Sequence, residues 1–254
     1  MTGVSDTPDY LGRTTRPRLA FRYTKGAGPT IVFLPGYMSD MAGGKATALF
    51  DWAASEGRAC LLLDYAGCGL SDGLFADQTL LDWRGDIIDL IDARIEGSVV
   101  IVGSSMGGWL MLLAALALVQ RDGPARVAGL VGIAAAPDFT DWGFTPEEKA
   151  IILAEGELRE DTPYGDQPYV TTRAFWQAGE ANRVLDGEIP LTCPVRLLHG
   201  EEDGDVPPEI SVKLSAALAS ADVQVTLVKG GDHRLSRDGD IALLIDTVAR
   251  LAAS

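Results

Sequence analysis

The sequence predicts an α/β fold, a mostly parallel sheet of the eight-stranded type with helices on both faces and a small cap insertion. Three observations carry this. Short runs of β-branched and other apolar residues alternate with longer segments of helical period, the pattern of a sheet covered on both sides. A chain of 254 residues fits one such domain with a modest insertion and buries a full core. Hydrophobic residues make up 47% and charged residues 22%, the balance of a water-soluble globular chain.

Each element follows in order. Residues 19–23 (Leu-Ala-Phe-Arg-Tyr) read as the first strand, and 30–34 as the second, stopped by Pro35-Gly36. A helical stretch with small residues spans 42–55, and 60–64 is the next strand. Over 79–95, Leu80, Trp83, Ile87, Ile88 and Ile91 fall at helical spacing. Residues 99–102 form an uninterrupted β-branched run, and the apolar stretch 109–119 reads as the buried helix behind it. Strands follow at 127–134 and 195–198, a helix near 208–219, the last strand at 223–228 and a closing helix at 239–252. No internal repeat or low-complexity segment interrupts this single domain of 1–254.

Between about 137 and 190 the alternation breaks down. Trp142, Phe144, Tyr164, Tyr169, Phe175 and Trp176 stand there among many charges. The stretch follows a strand at its carboxyl end, where ligands bind in such sheets, so a cap over the site is expected. The alternative is a surface excursion whose aromatics seal a small core of their own.

Charge and composition exclude several functions. A formal net charge of −15 opposes binding to nucleic acid or an anionic membrane surface. The longest apolar run is far too short to span a bilayer. Residues 1–17 carry Asp6 and Asp9 and no apolar core of a signal peptide. Cys60, Cys68 and Cys193 are odd in number and widely spaced, which fits free thiols in a reducing cytoplasm and no disulfide framework. No histidine/carboxylate cluster has metal-ligand spacing, so neither a metal nor an organic cofactor is expected.

The chemistry centres on Gly103-Ser104-Ser105-Met106-Gly107, set between the run 99–102 and the helix 109–119. A strand turning at once into a helix with a serine at the corner is a nucleophile elbow, in which small residues let the chain bend and hold the hydroxyl out. A second match to the pattern, Gly69-Leu70-Ser71-Asp72-Gly73, has a small-residue loop before it and no helical period after it, so Ser71 is expected in a loop. Ser104 is assigned to packing.

Serine needs a base, and only His199 and His233 exist. His233 lies in a glycine-loosened loop after the last strand, where a base can swing against the nucleophile; His199, at a strand end, is expected to be structural. For the acid, the loop 199–207 offers four carboxylates. Its spacing favours Asp203, with Asp205 as runner-up and Glu201 and Glu202 facing solvent. Asp203 would fix the imidazole tautomer and stabilise the imidazolium. Two backbone N–H groups, from Tyr37 and Met106, are expected to hold the oxyanion. Tyr37, Met38, Trp142, Phe144 and Trp176 are the candidate lining of an acyl pocket.

These residues resemble the α/β-hydrolase superfamily along essentially the whole chain. Asp64-Tyr65-Ala66-Gly67-Cys68-Gly69-Leu70-Ser71 matches its D-x-x-G-x-G-x-S turn, a structural feature that accounts for the second serine motif. The strings Phe33-Leu34-Pro35-Gly36-Tyr37-Met38-Ser39, Gly103-Ser104-Ser105-Met106-Gly107-Gly108-Trp109-Leu110-Met111-Leu112, Cys193-Pro194-Val195-Arg196-Leu197-Leu198-His199-Gly200 and Asp232-His233-Arg234 are more specific. They resemble the mycophenolic acid acyl-glucuronide esterase and palmitoyl-protein thioesterase family. That resemblance implies Ser105 as nucleophile with Asp203 and His233 as partners, acting on S-acyl thioesters and acyl glucuronides of small molecules or acylated proteins. The region 138–190 shares little with the family beyond length and general character, and the family's mitochondrial leader has no counterpart. Two other readings stay open: the same triad cleaving C–C or peptide bonds, and a non-catalytic binding relative. Serine at 105 argues against dehalogenases and epoxide hydrolases, which carry aspartate there.

Overall fold

A computed structural model of the chain describes residues 7–162 and 168–253. The first half runs β1 (Asp9–Leu11), β2 (Leu19–Thr24), β3 (Ala27–Leu34), α1 (Gly44–Ser55), β4 (Arg58–Leu63), α2 (Leu80–Arg94), β5 (Val99–Ser104), α3 (Met106–Asp122) and β6 (Val127–Ile133). An inserted stretch then holds α4 (Phe139–Trp142), α5 (Pro146–Glu155), β7 (Glu157–Glu160), β8 (Tyr169–Thr172) and α6 (Arg173–Glu180). The chain ends with β9 (Val195–Gly200), α7 (Glu209–Ala217), β10 (Val223–Val228) and α8 (Asp238–Leu251).

Eight strands form one sheet in the order β1-β2-β4-β3-β5-β6-β9-β10. The pairs β1–β2 and β2–β4 are antiparallel, and every later pair is parallel. β5 runs through the centre with all six residues buried, which is why its sequence is continuously apolar rather than alternating. Two apolar layers cover the sheet. One gathers Trp83 and Ile87 of α2, Trp109 and Leu113 of α3 and Leu214 of α7; the other gathers Leu49 and Phe50 of α1 with Leu244 and Val248 of α8.

Local chemistry sets the helix starts. Thr79 and Asp82 exchange side-chain and backbone hydrogen bonds at the head of α2, and Thr145 and Glu148 do the same for α5, which also has Pro146 in its first turn. The expected strands and long helices are present within a few residues of their predicted limits. Two features depart from the sequence reading: β1 adds an antiparallel edge strand, and the charged run after 155 forms a hairpin, β7 with β8.

The inserted stretch is tied at its neck. Asp138, buried and at φ 58°, accepts hydrogen bonds from the backbone N–H groups of Val184 and Leu185 at 2.7–3.1 Å. Aspartate tolerates this left-handed conformation better than most side chains. Tyr164 lies outside the described residues. Among the described residues no helix is long and apolar enough to cross a membrane.

Candidate active site

Four loops meet at the carboxyl ends of β3, β5, β9 and β10. Ser105 stands between β5 and α3 at φ 54°, ψ −122°, a backbone conformation costing about 1–3 kcal/mol that the surroundings must enforce. They do so from both sides: its N–H donates to the Ile133 carbonyl at 2.9 Å, and its own carbonyl accepts from Ala136 and Gly108 at 3.0 and 2.8 Å. A Cβ on Gly107 would lie 2.2 Å from the Leu34 carbonyl oxygen, so only glycine lets α3 approach the end of β3 this closely.

The side chains expected together from their chain order meet in space. Ser105 Oγ is 3.1 Å from His233 Nε2, and His233 Nδ1 is 2.9 Å from Asp203 Oδ2. Asp203 has no exposed side-chain surface. Its Oδ1 accepts the backbone N–H groups of Asp205 and Val206, both at 2.9 Å. Burial pushes this carboxyl up, but hydrogen bonds from His199, His233 and Val206, with the charge of His233, bring it well below the usual carboxylate range. The Glu202 N–H donates to the Gly231 carbonyl at 2.8 Å, which ties the acid loop to the histidine loop.

His199 is fully buried beside the acid. Its Nε2 faces the Val206 carbonyl at 2.9 Å and Asp203 Oδ2 at 3.1 Å, while Nδ1 faces the Ser211 hydroxyl at 2.7 Å. Two acceptors on one side and a hydroxyl on the other assign the proton to Nε2. Ser71 serves the fold: its hydroxyl donates to the Asp64 carbonyl and accepts from the Ala20 N–H.

The turn after β3 lies against the serine, with a Cβ on Gly36 only 3.3 Å from the Ser105 Cβ. Tyr65 supports it from below by donating to the Pro35 carbonyl at 3.0 Å. No backbone hydrogen bond among the described residues takes the Tyr37 N–H, and Met106 is the first residue of α3, where the helix supplies no acceptor. The Tyr37 ring points away from the turn, packed on Phe75, Trp83, Phe139, Tyr169 and Phe175 at centroid distances of 5.2–6.2 Å. Burial raises this phenol far above its ordinary range, so the hydroxyl stays protonated and donates to the Val170 carbonyl of β8 at 2.6 Å.

A cavity of about 540 Å³ opens over Ser105 and His233, a size typical of small-molecule sites. Tyr37, Met38, Trp142 and Phe144 line it. Trp176 does not, and its place in the expected pocket is corrected: its indole N–H donates to the Thr140 carbonyl at 3.0 Å, which ties α6 to α4. Sequence reasoning missed Phe139, Tyr169, Glu160 and Lys45, all of which line the cavity. Phe139 and Tyr169 lie in the aromatic-rich insertion, where composition was the available signal. Lys45 gave none; burial and the nearby Arg234 lower its ammonium to about 8, and it donates to the Arg234 carbonyl.

Among the described residues, Asp203, Asp205 and His233 bring possible ligand atoms within 4.8 Å of one another. Asp203 and both ring nitrogens of His233 are already engaged in hydrogen bonds, so the group reads as part of the serine–histidine–aspartate row rather than a metal centre.

Fold and site together define a hydrolase of the α/β class. The chain belongs to the alpha/beta hydrolase family, whose sequence profile matches residues 31–243. It is 41% identical over 243 residues to the mitochondrial palmitoyl-protein thioesterase ABHD10 of Mus musculus, covering 94% of this chain and 80% of that protein. The solved structure of mouse alpha/beta hydrolase domain-containing protein 10 superposes with a TM-score of 0.88 at 39% identity, covering 96% of this chain and 98% of that one. A solved chain from Agrobacterium vitis S4 gives a TM-score of 0.90 at 37% identity, covering 96% and 97%.

Proposed function

We propose that the enzyme is a serine hydrolase cleaving acyl thioester and ester bonds through Ser105, His233 and Asp203. The observation that carries this is the continuous row of contacts from Ser105 Oγ to His233 Nε2 and from His233 Nδ1 to Asp203 Oδ2, opening onto a cavity with an apolar wall. His233 takes the serine proton as Oγ attacks the acyl carbon, then gives it to the departing thiol or alcohol. Asp203 accepts from Nδ1, which leaves Nε2 free to act as the base, and its charge stabilises the imidazolium. The N–H groups of Tyr37 and Met106 receive the oxyanion. Water then repeats the sequence on the acyl-enzyme and releases the acid.

The acyl group lies against Met38, Phe139, Trp142 and Phe144, under the segment 137–190 acting as a cap. Palmitoylated proteins and acyl glucuronides are the substrates to try first, the former because a 41% identical relative is named a palmitoyl-protein thioesterase. Three free thiols, two of them buried, suit a reducing compartment, with the cytoplasm as the first expectation.

The test pairs covalent labelling with a substrate panel. A fluorophosphonate probe should label the wild type and not Ser105→Ala, and rates on matched S-acyl thioesters, acyl glucuronides and simple esters should be highest for one of these classes. Labelling that survives Ser105→Ala places the nucleophile elsewhere.

A further inference from the structure

Tyr37 belongs to two parts of the molecule at once. Its backbone lies in the turn against Ser105, while its ring and hydroxyl are held by the inserted stretch, through the Val170 carbonyl at 2.6 Å and the rings of Phe139, Tyr169 and Phe175. Phe139 in turn contacts Phe144 at 6.3 Å, and both line the cavity. A continuous set of packed rings therefore joins the apolar wall to the turn. Close-packed aromatic cores transmit small displacements rather than absorbing them.

We propose that the Tyr37 side chain is a positioning residue that couples the acyl pocket to the oxyanion turn, so that a long acyl chain seated on Phe144 and Phe139 sets the Tyr37 N–H for catalysis. This rests on the hydrolase reading above and deepens it: the enzyme selects long acyl groups in the chemical step as well as in binding. Tyr37→Phe keeps the ring and releases the tether to β8.

The experiment measures kcat for p-nitrophenyl acetate and decanoate. Tyr37→Phe is expected to slow both, but decanoate about tenfold more, within the usual size of coupling between touching groups. Phe144→Ala should lower the decanoate-to-acetate kcat ratio severalfold in the wild type, and by less than about twofold in the Tyr37→Phe background, because a ring no longer tethered to β8 yields to its neighbours instead of passing their position to the turn. Equal slowing of both esters by Tyr37→Phe, or additive effects of the two substitutions, overturns the coupling. Should Tyr37→Phe not fold, Phe139→Leu breaks the ring contacts that join Phe144 to Tyr37, and an unchanged kcat ratio there overturns it too. Failure of the underlying reading looks different: a wild type that hydrolyses neither ester and takes no fluorophosphonate label.

Discussion

Replacing Asp203 by asparagine isolates one hydrogen and its consequence. Asp203 Oδ1 receives two backbone N–H groups at 2.9 Å, so the amide oxygen of an asparagine must occupy that position. Its NH2 group then stands where Oδ2 was, 2.9 Å from His233 Nδ1 and 3.1 Å from His199 Nε2. Both imidazole positions donate in the native arrangement, and two donors cannot face each other. His233 must move its proton to Nε2, 3.1 Å from Ser105 Oγ, where it can no longer accept the serine proton. In a serine–histidine–aspartate triad this tautomer error costs about 10⁴ in kcat, or about 5.4 kcal/mol of transition-state stabilisation. The assay is steady-state hydrolysis of a p-nitrophenyl ester by purified Asp203→Asn, with circular dichroism to confirm the fold. A folded variant within tenfold of the wild type would mean that His233 keeps an unprotonated Nε2 without the carboxylate. A pH signature accompanies it. Because the folded carboxyl is held below its ordinary range, its contribution to stability is present above about pH 4 and is lost as pH falls through the folded value. The stability gap between wild type and Asp203→Asn in urea should therefore narrow in acid.

Three further outcomes follow from other residues. Ser105→Gly relieves a positive φ that serine disfavours, so it should abolish activity while raising unfolding free energy in urea by about 1 kcal/mol. Asp138→Ala leaves the Val184 and Leu185 N–H groups without acceptors, at about 1–3 kcal/mol each; the thermal midpoint should fall and limited proteolysis should quicken within 143–190. Lys45 has a folded pKa of about 8 against an ordinary 10.5, so the fold penalises its charged form most fully below pH 8, and wild-type stability should rise as pH passes from 8 towards 10.5. Lys45→Met should be more stable than wild type at pH 7 in chemical denaturation and should lack that alkaline rise.

The parts legible in the sequence are those whose physics is local. Strands buried on both faces spell themselves as apolar runs, as 99–102 does. The corner at Ser105 shows through the small residues around it, and His233 through the scarcity of histidines. Elements and side chains whose placement depends on contacts outside their own few residues stayed hidden. β1 is three largely exposed residues that form a strand only because β2 offers an antiparallel edge. β7 buries Leu158 alone, too little in four residues to reveal a period among charges. Trp176 reads like a pocket aromatic from composition, yet its direction is set by Thr140, thirty-six positions away. Lys45 reaches the cavity because the Arg234 carbonyl lies 189 positions away in sequence and adjacent in space.

The single carboxylate of Asp138 brings residues 138 and 184 together across forty-six positions. With its two ends joined there, the inserted stretch can change in length between them without displacing β6 or β9. The rings that hold Tyr37 tie the rest of that stretch to the turn beside Ser105, so changes in it that keep those ring contacts are the ones the fold admits most easily.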